Sequence, residues 1–593
     1  MVKNWILKEE GDSKIVGELA SQLNIDYTLA NLLVQRGITT VNDAKKFFRP
    51  DLKNLHDPFL MKDMDKAVER LNKAVKNREK ILIYGDYDVD GTTAVSLLYT
   101  FLKKFDPTLE IDFYIPDRYS EGYGISIQSI DFAFENHFTL VIALDCGIKA
   151  NEQVAYAKTK GIDFIIGDHH RSDDVLPDAV AVLDSKRDDD TYPYKDLAGC
   201  GVAFKLAQAF AKKNKIPADE LYNYLDLVVV SIASDIVPIT GENRILAYYG
   251  LRLINSKPRP GLEAILDSAN VKRRPKALYN INKSIFSKEL TINDLVFIIG
   301  PRINAAGRLE NGKTSVELLN SDSLEDAKII AKKINDINKE RRNLDNIATM
   351  EALDMLNKDI TTLNKKTTVV YNPKWFKGVV GIVASRLTEI YYRPTIVFTK
   401  SAEDESSDET ILTGSARSVK NFDIYEAIDA CSEYLEHFGG HTFAAGLSLK
   451  EENFEKFKEK FERVVSERVT EDTLTPEITV DTEIDLNEIN PKFYKTLKMF
   501  APFGPGNNSP VFCSNGVTDT GLVRKVGSNH LKLSVCHPNK NGYPISAIAF
   551  QQGEYFDQIA GGLPFNIVYN IEENEWNNKI SLQLNIKDIK MLE

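Results

Sequence analysis

Four short apolar runs, each ending on acidic or imidazole side chains, set the pattern of the first half of the chain. Ile81-Leu82-Ile83 leads into Tyr84-Gly85-Asp86-Tyr87-Asp88-Val89-Asp90-Gly91, and Leu140-Val141-Ile142-Ala143-Leu144 ends on Asp145-Cys146-Gly147. Phe164-Ile165-Ile166-Gly167 ends on Asp168-His169-His170, and the apolar stretch 225–230 precedes Ser231-Ile232-Ala233-Ser234-Asp235-Ile236-Val237-Pro238. Continuous β-branched runs separated by helical sequence predict a buried parallel sheet over about 78–255. The carboxyl ends of such strands face one crevice, so the four clusters are expected to converge there.

Other periods follow. Residues up to about 75 read as helices and connectors, with an irregular link at 49–58. Ala327, Ile330, Ala331, Ile334 and Ile337 recur at helical spacing and predict a long amphipathic helix over about 324–356. A second α/β lobe is expected from Thr367 to about Val464, with strands at Val369-Val370-Tyr371 and 394–398. From about Pro476 short alternating strands at 530–535, 545–550, 565–571 and 580–586 predict a small barrel. The expected division is an N-terminal helical segment 1–77, a metal domain 78–320, a connecting helix 321–362, a second α/β domain 363–468 and a barrel 469–593.

Closely spaced aspartates repel one another unless a cation lies between them. Carboxylates with imidazoles at strand ends suit Mn²⁺ or Mg²⁺ better than a thiolate-bound structural zinc. Composition narrows the picture further. With 593 residues, 43% hydrophobic and 27% charged, the chain is an ordinary globular protein of several domains. No apolar run is long enough to span a bilayer, and no signal peptide is expected. Five cysteines without a CxxC pair point to a reducing cytoplasm, and Cys146 reads as a small buried hydrophobe. A net charge of −12 argues against simple electrostatic nucleic-acid binding, but local basic clusters can still line a groove. The acidic stretch 402–409 reads as a solvated hairpin tip.

The series DYDVDG, LDCG, GDHH and ASDIVP resembles the DHH phosphoesterase superfamily. Gly300-Pro301-Arg302-Ile303-Asn304-Ala305-Ala306-Gly307-Arg308-Leu309 and Phe438-Gly439-Gly440-His441-Thr442-Phe443-Ala444-Ala445-Gly446 resemble one branch of it, the RecJ single-strand-specific DNA exonucleases. The resemblance runs from about Lys53 to the last residues. It implies a DHH domain, a DHHA1 domain and an OB-fold barrel. It also implies 5′→3′ hydrolysis of single-stranded DNA to mononucleotides, in recombination and repair, with two Mn²⁺ or Mg²⁺ ions. A single-strand-binding protein and a helicase are the implied partners.

Carried over residue by residue, the resemblance makes Asp145 the bridge between two ions. Asp88 would hold one, while Asp90, His169 and Asp235 hold the other. His170 would face the phosphate, and Asp86, itself a possible ligand, would orient ligands together with Asp168. Arg302, Asn304 and Arg308, read as a glycine-ended loop, offer charge-assisted bonds to phosphate. Gly439, Gly440 and His441 would give bare backbone and an imidazole to the strand. The family pattern places Arg118, Ser415 and Arg417 at the 5′-terminal phosphate. Arg524, Lys525, Lys532 and His530, near Phe500, Phe503 and Phe512, suggest a basic and aromatic groove, although phenylalanines beside a proline–glycine turn are usually core. Tyr84 stands where related phosphoesterases have a histidine, and reads as a core aromatic. Phe376 replaces the histidine of a common tryptophan–histidine pair after Trp375. Two alternatives remain open: a phosphodiesterase for short oligonucleotides or cyclic dinucleotides, and a non-catalytic binding scaffold.

Overall fold

The chain is described from a computed structural model over residues 3–275, 284–358, 362, 364–401, 410–538, 543–576 and 579–592. The acidic stretch 402–409 lies outside the described residues. The chain forms two compact units, one of Leu7–Asn335 with Thr479–Glu593, the other of Met1–Ile6 with Asp336–Ile478. No helix among the described residues is long and apolar enough to cross a membrane.

In the first unit, β1 (Ile81–Gly85), β2 (Ile111–Tyr114), β3 (Leu140–Leu144), β4 (Asp163–Gly167) and β5 (Ala181–Leu183) form a parallel sheet in the order β2-β1-β3-β4-β5. Every residue of β1 and β3 is buried, which explains runs that do not alternate. Helices α1 (Val89–Phe105) and α2 (Gly199–Lys213) contribute to the core over this sheet. The fourth apolar run is not a strand: Leu225–Ser234 is helix α3, with Asp235 as its C-cap. Buried on all sides, α3 carries no polar stripe, and its run cannot be told from a strand by period alone. Arg302, Asn304 and Arg308 likewise lie on helix α4 (Gly300–Leu309) rather than a loop, directly after a π-helical turn at Leu295–Ile299.

Helix α5 (Leu324–Lys358) has 35 residues, and the chain passes from one unit to the other within it. The second unit contains β6 (Thr368–Tyr371), α6 (Val380–Tyr391), β7 (Thr395–Lys400), β8 (Ile411–Arg417), β9 (His437–His441) and β10 (Ala444–Lys450). Their sheet order is β9-β10-β8-β7-β6, antiparallel except for β6 with β7. Trp375 is buried there and donates from Nε1 to Glu351 Oε2 at 2.8 Å.

The C-terminal strands return to the first unit. They are β11 (Thr482–Glu483), β12 (Phe512–Asp519), β13 (Arg524–Val526), β14 (His530–Cys536), β15 (Ile545–Ala549), β16 (Phe565–Trp576) and β17 (Lys579–Met591). Their order is β11-β12-β16-β17-β15-β14-β13, and β12 also pairs with β14 to close the barrel. This barrel shares one core with the N-terminal helices. Val16, Leu29 and Leu33 cluster with Phe493, Phe500, Phe512 and Leu531.

Candidate metal centre

The strand ends of the parallel sheet converge on one buried imidazole. His169 Nε2 lies 3.1 Å from Asp145 Oδ1, 3.6 Å from Asp235 Oδ2 and 3.7 Å from Asp90 Oδ2. Among the described residues, neither ring nitrogen of His169 nor Asp145 Oδ1 has a hydrogen-bond partner. Buried polar atoms are almost always paired, so the orphaned His169 Nε2 and Asp145 Oδ1, 3.1 Å apart, mark the place of something that binds both. Ligand atoms of Asp90, His169 and Asp235 lie within 4.8 Å of one another, as do those of Asp145, His169 and His170. Oxygen and imidazole donors of this kind fit a divalent cation such as Mn²⁺ or Mg²⁺.

Local structure holds each carboxylate in place. Asp90, in the first turn of α1, accepts from Gly199 N and Cys200 N at the N-terminus of α2 and from Ser231 Oγ, each at 2.7 Å. Asp88 caps α1, its Oδ1 accepting from Asp90 N and Gly91 N at 2.8 and 3.1 Å. Asp145 follows β3 in a left-handed conformation, φ 60°, which Asp tolerates better than most residues. Gly199 lets α2 approach it, since a Cβ there would meet Asp145 Oδ1 at 2.6 Å. Asp168 accepts from Ile148 N, His169 N and His170 N at 2.9, 2.7 and 3.1 Å and contacts His170 Nδ1 at 2.7 Å, fixing the ring.

The electrostatics follow from crowding and burial. Burial first, then the neighbouring Asp90 and Asp88, pushes the Asp145 carboxyl well above the usual range. Asp235 rises to about 8 by burial and the same two neighbours, and Asp86 to about 8 by burial and Asp88. Asp88 is also raised, by burial and Asp90. Burial opposes ionisation of Asp168 too, but its bond to His170 and the Ile148 amide bring it down to about 2. His170 answers in kind: burial works against its proton, yet Asp168 raises it to about 9. A bound cation is the simplest way to ionise the raised carboxylates together.

The remaining expected residues fall in several places. Asp86 is buried with Oδ1 unpartnered among the described residues, and it stands with Asp88 outside both ligand groups. Arg118 lies over the Tyr87 ring at 4.8 Å, beside the aspartate loop. On α4, Asn304 and Arg308 share a face by their spacing of four. Arg302 points elsewhere, donating to Asn335 Oδ1 at 3.1 Å and Ile298 O at 2.7 Å. Tyr84 is a core aromatic, stacked on Tyr114 and donating to Gly124 O at 2.7 Å. Phe500 and Phe512 are fully buried and cannot stack on bases. Arg524 pairs across from Lys532, and Lys525 Nζ lies 5.2 Å from the Phe556 ring centroid. His530 Nδ1 accepts from Gln551 N at 3.0 Å.

In the second unit, Arg417 donates to Ser415 Oγ at 2.9 Å and to Ala416 O at 2.7 Å. A Cβ on Gly381, in the first turn of α6, would meet Arg417 Nη2 at 2.9 Å, so guanidinium, hydroxyl and helix N-terminus form one anion-favouring corner. Gly439, Gly440 and His441 lie exposed on the edge strand β9 rather than in a tight turn.

Two residues near the centre escaped the sequence reading. Tyr123 OH lies 3.3 Å from both Asp145 O and His170 Nε2, its ring edge-on to His170, and an uncharged phenol gives no signal in a polar loop. Asp184 directly follows β5, fully buried with Oδ2 unpartnered among the described residues, and burial raises it to about 7. The pattern of apolar run then aspartate is there, but three residues are too short to stand out.

Three family matches cover this architecture: the DHH family N-terminal domain over 80–232, the DHHA1 domain over 364–467 and the RecJ OB domain over 480–588. The single-stranded-DNA-specific exonuclease RecJ of Bacillus subtilis is 36% identical over 592 residues, spanning 99% of this chain and 71% of that protein. The chain belongs to the RecJ family. Among solved RecJ structures, that of Thermus thermophilus in complex with Mn²⁺ matches with a TM-score of 0.80 at 24% identity, over 100% of this chain and 80% of that one. An exonuclease RecJ bound to manganese matches with a TM-score of 0.56 at 27% identity, over 71% of this chain and 97% of that one.

Proposed function

We propose that this RecJ protein is a Mn²⁺- or Mg²⁺-dependent exonuclease that hydrolyses single-stranded DNA from the 5′ end to mononucleotides, in recombination and repair. The observation that carries this reading is His169, enclosed by Asp90, Asp145 and Asp235 with its nitrogens unpartnered among the described residues. Those four residues, with Asp88, would hold the metal, and Asp145 would be shared between two ions. When bound, the metal supplies charge that polarises the phosphodiester and acidifies a water. Asp168 fixes the His170 ring, so its other nitrogen can donate to the phosphate. Tyr123, beside that nitrogen, narrows the approach to it. Arg118, Asn304 and Arg308 would contact substrate phosphate in the first unit, and Ser415, Arg417 and His441 would do so in the second. Gly439 and Gly440 would let the strand pass close to the backbone, and Arg524, Lys525 and Lys532 would bind it further along. A single-strand-binding protein and a helicase would present the substrate, in the cytoplasm.

The test is hydrolysis with Mn²⁺ of single strands labelled at either end, against duplex and dinucleotide controls. Early release of the 5′ label with intact duplex is the expected result. Preference for the dinucleotide would reassign the protein to small phosphodiesters.

A further inference from the structure

The loop that carries Asp235 is held by the barrel, whose expected work lies elsewhere. Asp235 ends α3, and the next residue, Ile236, has φ 59°. A β-branched residue in that region is a genuine outlier and persists only where its surroundings enforce it. The enforcement is visible on the far side of the loop. Ile239 N donates to Pro505 O at 2.6 Å, and Ile239 is fully buried. Pro505 belongs to a tight turn, Gly504-Pro505-Gly506-Asn507, closed by Gly504 N to Asn507 O at 3.0 Å and Asn507 N to Gly504 O at 2.9 Å.

Both glycines of the turn are there for contact. A Cβ on Gly504 would meet Ile239 Cγ1 at 2.6 Å, and one on Gly506, at φ 71°, would meet Thr240 Cγ2 at 3.0 Å. The turn is itself anchored. Asn507 Nδ2 donates to Phe500 O and Pro502 O at 2.8 and 2.9 Å, and buried Arg244 donates to Phe500 O and Ala501 O at 2.8 and 2.9 Å. On the other side, Tyr194 OH and Asn243 Nδ2 donate to Pro238 O at 3.2 and 3.0 Å. The segment 238–240 is thus held by the turn and by Tyr194 and Asn243, while Ile236 itself is exposed.

We propose that the turn Gly504–Asn507 is a positioning element of the metal centre, setting where Asp235 stands and so how tightly the cation binds. The barrel then contributes to catalysis through a contact that touches neither DNA nor metal. This rests on the reading of Asp235 as a metal ligand, and the controls separate the two.

Mn²⁺ affinity is measured by calorimetry on full-length Gly504→Ala, Ile239→Ala, the double variant and Asp235→Asn, alongside single-strand affinity in EDTA and hydrolysis kinetics. Each single variant at the contact is expected to weaken Mn²⁺ binding by about tenfold, the scale of a lost supporting partner. A matching fall in kcat is expected, with KM and EDTA-measured DNA affinity unchanged. The double variant exchanges volume across the contact and is expected to recover to within about threefold. Wild-type Mn²⁺ affinity in Ile239→Ala overturns the proposal even if Gly504→Ala fails to fold. Wild-type Mn²⁺ affinity in Asp235→Asn would instead overturn the ligand reading.

Discussion

Asp145 combines three demands in one residue: full burial, a left-handed backbone and contact with the central histidine. Asparagine meets the first two, because it keeps size and tolerates positive φ, but it brings no charge to the histidine. Asp145→Asn is therefore expected to fold like the parent. Its Mn²⁺ affinity and hydrolysis should fall by more than the roughly 10–100-fold that a disturbed supporting partner costs. In the metal-free protein its unfolding midpoint should not drop, since a buried carboxyl crowded by Asp90 and Asp88 has been removed. Calorimetry, turnover and a melt in EDTA check the three statements, and wild-type turnover would sink the assignment. Alanine is a poorer probe, because it would add backbone strain at φ 60° to the loss of charge.

At the scale of elements, the strands that carry Asp86, Asp145 and Asp168 were legible because burial on both faces writes an uninterrupted apolar run. The same signal misled at 225–234, where a helix buried all round writes an identical run. The cluster still converged, because Asp235 caps that helix at the same crevice. The segment with Arg302 and Arg308 reads as a loop from its glycines, yet Gly307 serves close packing: a Cβ there would meet Tyr87 O at 2.6 Å. Helical spacing then separates two arginines that adjacency in sequence had joined. The paired strands β13 and β14 carry their own prediction. Arg524 and Lys532 face each other in register, and replacing both by alanine should remove up to two phosphate contacts. The logarithmic salt dependence of single-strand binding should become shallower by about 1.4, with Mn²⁺ affinity unchanged. An unaltered salt slope would take these residues off the DNA path.

The two ends of the chain, Leu7 onward and Thr479–Glu593, join in one compact unit. A helical N-terminus and a C-terminal barrel read as separate ends, but Val16, Leu29 and Leu33 share a core with Phe493, Phe500 and Phe512. Long-range packing of this kind leaves no local mark, since each segment is apolar at its own period. Arg244 adds a polar seam to it. Buried in the metal domain, it donates to Phe47 O at 3.0 Å in the N-terminal helices and to Phe500 O at 2.8 Å. Deleting 479–593 would leave that guanidinium without its barrel carbonyls, and an unpaired buried donor of this kind costs about 1–3 kcal/mol or more. It would also expose the apolar face of the helices at 13–48. The truncated chain is therefore expected to aggregate, and to lose protease resistance across 13–48 and Mn²⁺ affinity together, rather than merely to bind DNA more weakly. Size-exclusion chromatography with limited proteolysis is the check. A monodisperse, resistant fragment with full Mn²⁺ affinity would mean that the barrel is an appendage and that the metal domain stands without it.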